Sequence, residues 1–163
     1  MARLVLVLLI CLTAVVLSDA TAPPERIDET SGSETASVRI GDRLFRLQIA
    51  ADEASRNGGL AGVADIPADG GMLFVYPSPR RLRYYMAYCV IDIDLIFLDG
   101  DGRIVALHEM KAEAERGAGE SHAAYLSRLK RYASGRPARF AIELKAGSIR
   151  RLGLRVGQLI DVE

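Results

Sequence analysis

Two carboxylates stand two residues apart in the run Ile91-Asp92-Ile93-Asp94-Leu95. In an extended strand residues i and i+2 point to the same side, so Asp92 and Asp94 share one face while Ile91, Ile93 and Leu95 take the other. Such a pair could bind a cation, or share a proton as an acid–base dyad, because neighbouring like charges raise one pKa. It could equally be a structural ion pair, neutralised by an arginine such as Arg56. Just upstream lie Tyr84, Tyr85 and Tyr88; on one strand Tyr84 and Tyr88 would share a face and Tyr85 would take the other. Phenol rings beside carboxylates and arginines suit sugar rings or aromatic ligands, and are also ordinary packing at a barrel rim. Arg56, Tyr85, Tyr88, Asp92 and Asp94 are therefore the candidate ligand-binding residues.

The other chemistry-bearing residues make weaker sets. Asp99-Gly100-Asp101-Gly102 fits the middle of a twelve-residue calcium loop, but the first and last positions would be Phe97 and His108, and neither supplies a carboxylate. A hairpin turn is the better reading, since Asp-Gly favours primed turns. Cys89, His108 and His122 lack zinc-motif spacing, so no metal site is assigned. Cys89 with His108 is a nucleophile–base pair in principle only. No catalytic residue and no cofactor is assigned.

The elements that must position these residues read as short strands. Phe45, Leu47 and Ile49 alternate with Leu44, Arg46 and Gln48, the period of a half-buried strand. Ala51 to Asn57 suits a short helix ending at Gly58-Gly59. Apolar runs at Met72–Tyr76, Leu82–Tyr88 and Ile91–Leu98 read as three strands, the first two separated by Pro77 and Pro79. Arg103–Met110 would complete the hairpin, Ala123–Ala133 would be an amphipathic helix, and Arg139–Leu144 a further strand. Gly147–Leu154 reads as a short helix or turn and Gln158–Val162 as a closing strand. The expectation is a mainly β fold bordering on α+β: a compact antiparallel barrel-like or sandwich single domain with short helices.

Composition bounds the partners. The 163 residues carry 21 basic and 21 acidic side chains, so no general nucleic-acid affinity is expected. The clusters Arg80, Arg81, Arg83 and Arg128, Lys130, Arg131, Arg136, Arg139 read as solvated faces, or else as an anion or membrane-surface site. After Arg3, the apolar stretch Leu4–Leu17 is too short to span a bilayer and suits the core of a secretory signal, with Ser18-Asp19-Ala20 as its cleavage site. Residues 1–20 are thus expected to be a signal peptide, 21–37 a Pro-, Glu-, Ser- and Thr-rich linker, and 38–163 the domain. An uncleaved anchor is the second reading and acylation of Cys11 a distant third. Removal of the signal leaves Cys89 as the sole cysteine, which excludes an internal disulfide.

Several segments carry a resemblance in order and spacing. They are Arg56-Asn-Gly-Gly59-Leu60, Gly71-Met-Leu-Phe-Val-Tyr76, Tyr85-Met86, Asp94-Leu-Ile-Phe97, Asp99-Gly-Asp-Gly-Arg-Ile-Val105 and Glu143-Leu-Lys-Ala-Gly147. From Phe45 to Val162 the chain resembles the domain of unknown function 192 (DUF 192) family. The resemblance implies a compact β-rich domain, commonly behind a signal or anchor in bacterial and archaeal envelope proteins, and implies no reaction. Where the family usually reads Trp-Met-Lys-Asn-Thr, this chain has Tyr85-Met86-Ala87-Tyr88-Cys89, losing a cation and an amide. The family's Pro-Leu-Asp becomes Asp92-Ile93-Asp94, its late Gly-Asp becomes Gly157-Gln158, and Ala123–Ala133 resembles an insertion.

The function expected from these readings is a non-enzymatic binding or accessory module of the cell envelope, secreted or periplasmic. An anchored form would face the same side and touch the membrane only through its uncleaved signal. Its partner would be a small molecule, a glycan or an envelope protein. A carboxylate-dependent hydrolase acting on glycans and a structural interaction domain are the alternatives.

Overall fold

The computed structural model describes residues 34–162; the expected signal and nearly all of the expected linker lie outside them. Six strands form one mixed sheet: β1 (Thr35–Ile40), β2 (Arg43–Ala50), β3 (Gly70–Tyr84), β4 (Ile93–Leu98), β5 (Ile104–Met110) and β6 (Tyr132–Lys145). Three short helices accompany them, α1 (Glu53–Gly58), α2 (His122–Arg128) and α3 (Ser148–Arg151). The strand order is β1-β2-β3-β6-β4-β5. All neighbours are antiparallel except β2 and β3, which run parallel because α1 and its loops return the chain across the sheet. The sheet is mainly β as expected but is open rather than closed into a barrel.

Alternation sorts the central strands into two buried faces. Met72, Phe74 and Tyr76 of β3, Leu95 and Phe97 of β4 and Ala141 of β6 build one core, covered by Leu60, Ile66 and Met86 from the connecting loops. Leu73, Ile96, Leu98, Phe140, Ile142 and Leu144 build the other, with Val38, Phe45, Leu154 and Ile160. Burial on both faces explains why β4 reads as an unbroken apolar run.

Several elements depart from their sequence outlines. The two runs separated by prolines are one long strand, β3, and residues 85–92 form a loop. Pro77 and Pro79 fall in the register shift between Val75 and Arg80, where β3 lacks regular pairing with β6, so their missing N–H groups interrupt no ladder bond. The expected long helix is only α2; β6 begins at Tyr132, as aromatic and β-sheet pairing to Tyr84 overrides the helical period. β1 starts at Thr35, three residues inside the expected linker; Ala36, Val38 and Ile40 alternate with Thr35, Ser37 and Arg39, a period-two signal obscured by the polar composition that precedes it. The expected closing strand makes only isolated bridges, Leu159 to Arg103 and Asp161 to Arg39. That segment nevertheless ties the two edges, with Ile160 N donating to Gly102 O at 2.9 Å and Ile104 N to Gln158 O at 2.8 Å. The hairpin turn is as expected, its Asp99 Oδ1 accepting from Asp101 N and Arg103 N.

Candidate functional site

A cleft of about 360 Å³ opens beside the far half of β3. Its walls are Arg56 and the Gly58-Gly59 turn of α1, Arg80, Arg83 and Tyr84 of β3, and Tyr85, Ala87 and Cys89 of the following loop; Glu143 of β6 lies at its floor. α1 is set by a capping interaction in which Asp52 Oδ1 accepts from Ser55 N at 2.9 Å. Arg56 then ties α1 to the sheet, its Nη1 donating to Ala51 O and, at 3.0 Å, to Val75 O. Its guanidinium and that of Arg80 both lie over the Tyr76 ring, 5.1 and 4.7 Å from the centroid. Arg80 and Arg83 have no carboxylate partner among the described residues.

Glu143 is the unusual residue of the site. β6 register places it between Met72 of β3 and Leu95 of β4, on the same face as Phe74 and Phe97. Only 6% of its surface is exposed. Its carboxyl has neither a hydrogen bond nor an ion pair among the described residues. Burial alone pushes its pKa up to about 8, so at neutral pH the group is chiefly a carboxylic acid. Beside it, Tyr84 stands edge-on between Phe74 and Phe97, with ring centroids 5.2 and 5.3 Å away, and its hydroxyl meets that of Tyr76 at 3.0 Å. Burial lifts this phenol well above its ordinary range, followed by the neighbouring Tyr76. The Cys89 thiol is raised to about 11, first by burial and then by Glu143. A thiol so raised is protonated at pH 7, the opposite of an activated nucleophile.

The structure brings two of the five sequence candidates, Arg56 and Tyr85, to this cleft. Tyr85 is 42% exposed and lies under the Arg131 guanidinium at 4.5 Å. Tyr88 instead packs toward α2, its ring parallel to His122 and its hydroxyl 3.0 Å from His122 Nδ1. Its backbone is left-handed, φ 57°, and is held there by Tyr88 N donating to Tyr125 Oη at 2.8 Å and Gly62 N donating to Tyr88 O at 2.9 Å. Asp92 pairs with Lys111 at 2.7 Å and accepts from Ala112 N at 2.9 Å, and the Lys111 bond holds its carboxyl below the usual range. Asp94 is buried on the opposite face of the sheet, with Ile96 and Leu98, where it accepts from Ile149 N at 2.7 Å at the start of α3. Burial raises its pKa, offset in part by the Ile149 and Gly147 N–H groups. The two aspartates thus do not form a dyad: Asp92 precedes β4, beyond the regular pleat, and each carboxylate has its own partners.

Glu143, Arg80, Arg83 and Tyr84 stand outside the candidate ligand-binding set drawn from the sequence: the arginines read there as a solvated face or else an anion or membrane-surface site, Tyr84 as part of an aromatic platform, and Glu143 only as the head of a family segment. The available signal for Glu143 was a lone acid in Phe140-Ala-Ile-Glu-Leu144, an otherwise apolar strand with Ala141 two residues before it on the same face. No group of three or more His, Cys, Asp or Glu side chains among the described residues is arranged to hold a metal ion.

Two solved structures share the architecture. A protein of unknown function from Novosphingobium aromaticivorans superimposes with a TM-score of 0.68 at 20% identity, covering 82% of this chain and 89% of its own. A Sinorhizobium meliloti protein, named as a candidate transcription regulator, gives 0.63 at 24% identity, covering 78% of this chain and 95% of its own. At such identities the likeness is one of fold alone. No curated protein matches the chain. The profile of the DUF192 family, described as uncharacterized ACR, matches residues 36–162, nearly the whole of the described domain, and this chain belongs to that family.

Proposed function

We propose that this protein is a non-enzymatic, extracytoplasmic binding or accessory module of the cell envelope, and that its small-molecule or glycan ligand seats in the cleft over Glu143. The observation that carries the reading is a buried carboxyl left without a partner at the floor of an open cleft. Among the described residues only Arg139 Nε is a fully buried side-chain atom without a partner, so the Glu143 oxygens keep contact with solvent through the cleft, where a ligand would meet them. A ligand that hydrogen-bonds Glu143 replaces that solvent, while Tyr85 and the stacked Arg56, Tyr76 and Arg80 offer flat surfaces for a ring. Catalysis by Asp92 and Asp94 would need both in one cleft, and their partners, Lys111 and the α3 N-terminus, engage them separately.

The extracytoplasmic placement is supported by the apolar run Leu4–Leu17 and the small residues after it. No helix among the described residues is long and apolar enough to cross a membrane. Tyr85, Tyr88 and Val90, 42, 43 and 49% exposed on one loop, favour a second reading in which this rim docks an envelope protein.

Thermal unfolding of the purified protein against mono- and oligosaccharides, cell-wall fragments and small zwitterions tests the binding reading, since a ligand of the native state must raise Tm. A shift lost in Glu143→Gln and kept in Asp94→Asn supports the cleft; absence of any shift across the panel removes it. Fractionation of cells expressing a C-terminally tagged chain tests the placement: a shortened periplasmic or secreted product supports it, and a full-length cytoplasmic product refutes it.

A further inference from the structure

Glu143 and the two arginines at the mouth are separate electrostatic problems within one cleft. At the floor is an acid with nothing to pair with; at the mouth, Arg80 and Arg83 carry charge that no carboxylate among the described residues balances. An anion alone would satisfy the arginines and leave the floor as it is. A cation alone would satisfy Glu143 and be repelled by Arg56, Arg80 and Arg83. A molecule carrying both charges at its two ends satisfies floor and mouth together, in a volume suited to a small ligand.

Resting on the binding reading above, we propose that the ligand is a small zwitterion whose ammonium pairs with the Glu143 carboxylate and whose carboxylate or phosphate lies on Arg80 and Arg83. Ion pairing inside a walled cleft is little screened, so the pair at the floor supplies orientation as well as affinity. The groups facing Glu143 across the cleft are Glu53 and Arg56 of α1, Tyr76, Arg80, Arg83 and Tyr84 of β3, and Tyr85 and Cys89 of the loop. None of them accompanies Glu143 as an ion-pair partner. Because the carboxyl is held protonated by burial until about pH 8, docking an ammonium beside it at pH 7 displaces a proton to solvent. The balance is simple: the acid loses H⁺, buffer takes it, and the ammonium keeps all of its own hydrogens.

Isothermal titration of the native protein with glycine, β-alanine, 4-aminobutyrate, 5-aminovalerate and O-phosphoethanolamine varies the distance between the charges. Acetate, propionate, butyrate, valerate and inorganic phosphate remove the ammonium. Runs at pH 7 in two buffers of different ionisation enthalpy count the protons released, expected to be a large fraction of one per ligand bound. Binding by at least one amino-bearing probe, with its amine-free counterpart roughly tenfold weaker or more, supports the proposal. Glu143→Gln should weaken that probe by a similar factor and abolish proton release. Ala87→Lys, which places an ammonium on the same cleft wall, should also exclude it while leaving the fold intact by circular dichroism. Equal binding of the amine-free acids, or binding of the amino-bearing probe without proton release, overturns the zwitterion and leaves the cleft as a binding site. Stabilisation by sugars or cell-wall fragments alone does the same, and failure of every probe in both experiments removes both readings.

Discussion

Replacing Glu143 by glutamine is expected to stabilise the domain at neutral pH, although it removes a charge-capable group from the floor of the proposed binding cleft. Burial raises the carboxyl from its ordinary 4.5 to about 8. Between those values the unfolded chain has released the proton and the folded chain still holds it. The unfolded state therefore binds fewer protons, and stability falls as pH rises through this window. Each pH unit inside it removes about 1.4 kcal/mol, so the accumulated loss is about 3 kcal/mol at pH 7 and about 5 kcal/mol once pH passes 8. Glutamine has nearly the same shape and does not titrate. At pH 5 the acid is still almost wholly protonated in the folded state, and the two proteins should agree to within about 1 kcal/mol. Urea unfolding at pH 5, 7 and 8.5 reads the difference as a midpoint shift at constant m. Asp94 titrates in both proteins and cancels from the comparison. A wild-type-to-variant gap that does not grow with pH, or a wild-type domain that gains stability from pH 5 to 8, would refute the reasoning.

Three further outcomes are expected. Gly71→Ala should destabilise the domain by more than about 3 kcal/mol, or prevent its folding, because an added Cβ would collide with the Glu143 backbone oxygen and come within 2.9 Å of Leu144 Cδ2, and because Gly71 sits at φ +151°, which L residues rarely adopt; denaturant midpoints read the loss, and Gly41→Ala, in open space at φ +63°, should cost clearly less. Asp94→Ala should cost about 1–2 kcal/mol by leaving Ile149 N and the start of α3 uncapped, read in the same unfolding assay, with no change in ligand response. Alkylation of Cys89 by iodoacetamide at pH 8 should run roughly a hundredfold slower than that of a free thiol, since its pKa is raised to about 11, and should recover in urea; mass spectrometry over a time course would expose a contrary, reactive thiol.

The sequence carried the fold class in its alternation and punctuation, and the DGDG hairpin and α1 were legible from purely local rules. What it concealed was long-range pairing. Pro77 and Pro79 read as a strand break because nothing local reveals that the opposing strand is out of register there. The parallel pairing of β2 with β3 depends on the path of the chain between them and not on either strand's composition. The site shows the same division. Arg56 and Tyr85 stand in recognisable motifs, and the cleft holds both. Asp92 and Asp94 drew attention because they are polar and close, yet Asp92 lies just ahead of the strand and Asp94 caps a helix 55 residues away. Glu143 entered only as the head of a family segment and not as a site residue, because an isolated acid in an apolar strand acquires meaning only from the walls folded around it.

The position of β6 in the strand order has a consequence for the way the sheet is assembled. β6 is the last strand along the chain and lies at the middle of the sheet, between β3 and β4. During synthesis, the piece made of β1, β2 and β3 and the hairpin of β4 with β5 have no strand joining them until residues 132–145 have emerged. Until then each piece exposes an inner edge and half of an apolar core, and neither buries enough surface to persist. Folding should therefore be a late, concerted event with large loop-closure entropy, slow for a chain of this size. The same order delays the binding cleft, since its floor is delivered by the strand that completes the sheet.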